Sequence, residues 1–79
     1  MTLVAAWQRL PEAERRARCR AMQACVRLLA GPPGKELIDA LRQAEGDPAA
    51  LPLCDGALDA LATVPRRRIL ASFLRTLPK

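Results

Sequence analysis

LPEAERRARCRAMQACVRLLA, residues Leu10 to Ala30, reads as one long helix around which the rest of the chain is organised. Pro11 suits a first helical position, and Glu12 and Glu14 fall in the first turn, where the helix dipole favours anions. Gly31, followed by Pro32 and Pro33, is a stop signal. At roughly 100° per residue, Cys19, Met22, Cys25, Val26 and Leu29 form one apolar face. Ala13, Ala17, Ala21, Ala24 and Leu28 form a second stripe of mostly small side chains. Arg16, Arg20, Gln23 and Arg27 make a polar ridge between the two. A helix apolar on most of its circumference needs neighbours on more than one side. The Ala stripe is therefore expected to be core, because a short chain has little apolar area to spare. The competing reading gives the stripe to a partner, or to a second copy of the chain in a homodimer.

The flanking sequence supplies the neighbours. Thr2 is placed to cap a short first helix running to about Arg9, which would lay Trp7 across the central helix as a lid. An exposed Trp7 at a partner interface is the alternative. After the GPPGK turn, a helix over Gly34 to Glu45 carries Leu37, Ile38, Leu41 and Ala44 on its buried face. Gly46 ends it, and Asp47-Pro48 restarts the chain as a cap and a first-turn proline, giving a single turn to Leu51. Pro52 is expected to interrupt that turn. Beyond it, Leu53, Cys54, Ala57, Leu58, Leu61 and Ala62 share one helical face, with Asp55 and Asp59 on the solvated one. The last helix is announced by Pro65 and runs to about Leu77, with Ile69, Leu70, Phe73, Leu74 and Leu77 inward. Pro78 closes it. The expected architecture is all-α: a compact single-domain bundle, residues 1–79, of four to five short helices around a long central one.

Composition bounds the function. Of 79 residues, 51% are apolar but only 3% aromatic, so the core is built from Ala and Leu. Trp7 and Phe73 are too few to make a base-stacking platform. Val, Ile and Thr are scarce and never alternate, which leaves no strand pattern. The opening MTLVAAW lacks the basic, long apolar pattern of an export signal, and no apolar run reaches membrane-spanning length. Three cysteines and no histidine fit free thiols in a reducing cytoplasm.

Chemistry-bearing constellations are sparse. Cys19, Cys25 and Cys54 have no zinc-ligand spacing, and Cys19 and Cys25 point about 120° apart on the helix. They read as buried thiols; the alternative is a reactive Cys19, its pKa lowered by Arg15, Arg16, Arg18 and Arg20. Ser72 and the cysteines have no histidine base, and no Gly-rich loop precedes a helix to hold a phosphate. No enzyme activity, cofactor or metal is expected.

The formal net charge of +5 is the strongest functional signal, and nearly all the cations are arginine. An Arg bias also follows from a GC-rich genome, which carries no function. Arg66, Arg67 and Arg68 stand at the start of the last helix, where positive charge opposes the dipole and an anion would relieve it. Arg68 and Arg75 share the outer face of that helix. With Arg16, Arg20 and Arg27 of the central ridge, these seven are the candidate partner-binding residues. The first expectation is a non-enzymatic module that docks a helical face on a larger protein. The alternative is a small DNA-binding regulator, with Leu53 to Leu77 as a helix-turn-helix and the last helix in the major groove. Against the alternative, the Thr63-Val64-Pro65 turn has no glycine, and Asp59 stands where an apolar residue belongs.

Overall fold

The structure is a computed structural model that describes the backbone of residues 4–76 and the side chains of residues 4–72. Its longest element is the anticipated central helix, α1, Glu12–Leu29, with Pro11 as the N-cap rather than the first helical residue. Glu12 and Glu14 occupy the first turn. At the other end the Ala30 N–H donates to the Val26 carbonyl at 2.9 Å. Gly31 then takes φ 62° and ψ −146°, a backbone conformation that residues with a Cβ avoid. That glycine lets the chain leave the helix axis sharply into the Pro32–Gly34 turn.

Next come α2, Lys35–Gly46, then α3, Leu51–Asp59, and α4, Thr63–Thr76. No strand occurs among the described residues, and the fold is all-α. α1 packs along both α2 and α4, while α3 packs on α2. Val4, Trp7, Cys19, Met22, Val26, Leu37, Leu41, Leu51, Cys54, Leu58 and Ile69 merge into one buried cluster. The anticipated α2 face is borne out: Leu37, Leu41 and Ala44 are buried and Ile38 is half-buried. Asp47 caps the Pro48–Ala50 turn, its Oδ1 accepting the Ala49 N–H at 3.0 Å.

Four expectations need correction. The N-terminal helix is a single 3-10 segment, Ala5–Arg9, and it packs on α3 rather than across α1. Trp7 is buried as expected, 3% exposed; Thr2 lies outside the described residues. Pro52 does not interrupt the helix, because its missing N–H falls in a first turn where that donor would have no partner. α3 therefore starts at Leu51 and continues directly from the Pro48–Ala50 turn. Leu51 is buried with Cys54, Leu58 and Leu61, while Leu53 is 59% exposed and Ala62 faces solvent. α4 likewise begins at Thr63, with Pro65 inside its first turn; Phe73, Leu74 and Leu77 have side chains outside the described residues.

The fourth correction is the Ala stripe. Ala13, Ala17, Ala21 and Ala24 are all exposed, and Leu28 is 85% exposed. The reason is the number of helices that reach α1. α2 and α4 cover its Cys19–Met22–Val26 side and its flank at Cys25, while α3 stacks on α2 and the N-terminal segment stacks on α3 instead. Nothing in the described chain is left for the far side.

Candidate functional site

The structure divides the candidate arginines into those consumed by the fold and those free to meet a partner. α2 has no basic residue in its last turn, so its terminal carbonyls lack the usual local cation. α1 provides the missing donors. Arg16 Nε donates to the Glu45 carbonyl at 3.0 Å, and Arg15 Nη2 donates to the same oxygen at 3.3 Å. The Glu45 carboxylate is held as well: Arg20 Nε lies 2.6 Å from Oε1, and Gln23 Nε2 donates to Oε2 at 2.9 Å. Arg16 also pairs with Glu12 at 2.9 Å. Arg16 and Arg20, expected to bind a partner, therefore staple the end of α2 to α1. Arg15 is itself buried at 7% exposure. Nothing local in the sequence marks Glu45 or Arg15 for this role, since the contacts span 22 to 30 positions.

The hydrogen bonds from Gln23 and Arg20 hold the Glu45 carboxyl below the usual carboxylate range. A carboxylate whose folded pKa is depressed contributes stability that is present above its unfolded pKa and lost as pH falls through the folded value. Urea unfolding midpoints should therefore drop below about pH 4.5, and Glu45→Gln should blunt that drop. An identical acid limb in wild type and Glu45→Gln would rule the staple out as its source.

On α4 the division continues. Arg66 Nη1 donates to the Asp59 carbonyl at 3.1 Å, closing the end of α3. Arg67 and Arg68 are exposed, and α4 has no acidic residue in its first turn to balance them. Among the described residues neither they nor Arg27 have an ion-pair or hydrogen-bond partner for the guanidinium. Arg75 lies on α4, with its side chain outside the described residues. Val64, Arg67, Arg68 and Ala71 are all exposed at i, i+3, i+4 and i+7, so they share one outward face. Val64 is 60% exposed at the head of that face. On α1, the free Arg27 adjoins Leu28 beside the exposed Ala stripe.

Two of the three thiols are withdrawn from solvent. Cys19 and Cys54 are fully buried, and Cys25 is half-buried with its Sγ 3.8 Å from Ser72 Oγ. Burial first, then the negative charge of Glu45, push the Cys19 thiol up to about 11; the nearby Arg15 only partly opposes them. The arginines on α1 thus do not lower the Cys19 thiol overall, because burial and the Glu45 charge outweigh Arg15. Among the described residues no three His, Cys, Asp or Glu side chains converge on a common point, and no helix is long and apolar enough to cross a membrane.

The two helices of the supposed helix-turn-helix have different main neighbours. α4 lies along α1, while α3 rests on α2 and the N-terminal segment, so the two helices of the supposed motif do not pack as a pair. Asp55, assigned to the solvated face of α3, is buried at 5% exposure. No known protein family, characterised protein or solved structure matches the chain.

Proposed function

We propose that the protein is a non-enzymatic interaction module that docks the outer face of α4 on an acidic surface of a larger protein. The observation that supports this reading is that two adjacent arginines without an ion-pair partner among the described residues, Arg67 and Arg68, share one exposed face of α4 with Val64 and Ala71. Arg15, Arg16, Arg20 and Arg66 are held by carbonyls or carboxylates of their own chain, whereas among the described residues Arg67 and Arg68 have no such partner. Arginine next to an exposed apolar side chain is a composition enriched at protein interfaces, where the guanidinium supplies charge-assisted hydrogen bonds and the apolar group excludes water. Arg27 and Leu28 on α1 extend the same chemistry, and Arg75 would add to it. The reading needs no cofactor, and its free thiols suit a reducing cytosol.

The test is a partner captured by crosslinking to the full chain, followed by titration of that partner with variants. Arg67→Glu with Arg68→Glu should weaken binding on the order of a hundredfold, through like-charge juxtaposition costing several kcal/mol. Arg16→Ala should change affinity little, because Arg16 serves Glu45. The competing regulator reading predicts something else. Mixed-sequence duplex DNA would bind at near-physiological salt, with a log–log salt slope that Arg67→Ala flattens by about one unit per lost phosphate contact. Persistent DNA binding of that kind would replace the protein-docking reading.

A further inference from the structure

Asp55 is a buried carboxylate with an unusual pair of partners. Its Oδ1 accepts the Val4 N–H at 2.9 Å and its Oδ2 accepts the Ala5 N–H at 2.7 Å, across about 50 positions of sequence. The 3-10 segment Ala5–Arg9 has no side-chain cap of its own. Its first free N–H groups are therefore satisfied by a carboxylate borrowed from α3. Val4 and Trp7 plug into the buried cluster at 0% and 3% exposure, and Gln8 Nε2 donates to the Pro48 carbonyl at 3.2 Å on the rim. The helix this segment packs on is α3, not the α1 that follows it in the chain.

The connection to α1 is built differently. Leu10 has ψ 152° and Pro11 has ψ 149°, so two successive residues are extended. Pro11 has no N–H to give, and hydrogen bonding of α1 begins only at the Arg15 N–H to the Pro11 carbonyl, 2.9 Å. The segment is thus fastened to the rest of the fold at the Asp55 carboxylate, the Val4 and Trp7 plug and the Gln8–Pro48 rim contact, beside a link that carries no ladder. Detaching it leaves the contacts of α1 with α2 and α4 untouched.

We propose that residues 4–10 are a strap latched by Asp55, which opens about Leu10–Pro11 as a unit while α1 to α4 stay folded. Opening bares an apolar groove on α3 in which Leu51 and Leu58, one turn on either side of Asp55, share the cluster that Val4 and Trp7 now fill. The occupant of that groove is the strap itself, and the apolar surface is presented only when the latch lets go. This inference uses none of the residues of the α4 face, and it stands or falls apart from the docking reading.

Native-state hydrogen exchange on the full chain tests it directly. The Trp7 and Leu10 amides, bonded to the Val4 and Trp7 carbonyls, should exchange on the order of a hundredfold faster than the amides of Met22 and Val26, as a sub-global unit does. In Asp55→Asn the side-chain NH2 can face only one of the two backbone donors as a clash, so the latch loses an acceptor. Strap exchange should rise at least about tenfold further, and Trp7 should become open to acrylamide quenching, with helical circular dichroism unchanged. Strap amides as slow as those of α1 in the wild type would overturn the proposal. So would loss of all helicity together with Trp7 burial in Asp55→Asn, or a strap equally protected in both proteins.

Discussion

Gly34→Ala should destabilise the protein by about 2 kcal/mol, against the usual gain from replacing a glycine. The backbone at Gly34, φ −85° and ψ 3°, is open to any residue, so an alanine there would ordinarily stabilise by stiffening the unfolded chain. The obstacle is steric. A Cβ at position 34 would stand 2.4 Å from Val26 Cγ1 and 3.2 Å from Ala30 Cβ. Val26 is fully buried and β-branched, with no spare rotamer to retreat into. The Pro32–Gly34 turn would have to lift off the end of α1, taking α2 with it. For a chain this short, a loss of that size lowers the thermal midpoint by roughly 8 to 16 °C, which a melt followed by circular dichroism measures. In a Val26→Ala background the same substitution should cost at least about 1 kcal/mol less, since the clashing methyl is gone. A neutral or stabilising Gly34→Ala would show that the turn has slack the packing does not display.

Raising the pH above 9 should unfold the protein well before its arginines titrate. Burial pushes Cys19 up to about 11, and burial together with the neighbouring Cys19 and Asp55 pushes Cys54 up to about 12, from an ordinary value of 9.0. For a thiol raised in this way the neutral form belongs to the fold and the thiolate to the unfolded chain. The stability is fully present below about pH 9 and is lost as pH climbs towards the folded values. Each buried thiol should contribute a decline of roughly 1 kcal/mol per pH unit over that interval. Urea unfolding under reducing conditions between pH 8 and about 10.5 reads the slope, and Cys54→Ala should remove about half of it. A flat profile over the same range would mean that the thiols ionise inside the fold without penalty.

Much of the helical layout was legible because its causes are local. The Glu12–Glu14 start and the Gly31-Pro32-Pro33 stop bracket α1 within a residue or two, and the Leu37–Leu41–Ala44 spacing locates the buried side of α2. The Asp47 cap follows from neighbours in sequence. Errors appeared where one residue type has two local uses. Pro52 can break a turn or sit in a first turn; here it sits in the first turn of α3, and reading it as a break puts Leu53 on the buried face in place of Leu51.

The candidate site divides in the same way. That arginines supply nearly all the positive charge, and that Arg66, Arg67 and Arg68 open the last helix, follows from composition and position alone. That Arg16 and Arg20 serve Glu45 while Arg67 and Arg68 stay free depends on which helix ends meet, and helical periodicity carries no information about that. Asp55 has the spacing of a solvated residue, yet it is buried because two N–H groups some 50 positions away need an acceptor. The Ala stripe is as apolar as a core face but is left bare, because α3 packs on α2 rather than on α1. Hydrophobic period and capping chemistry act within a few residues, and they suffice for an all-α chain with its helices nearly in place. The partners of each charge and the side of α1 left uncovered depend on packing between distant segments, which no short window of sequence contains.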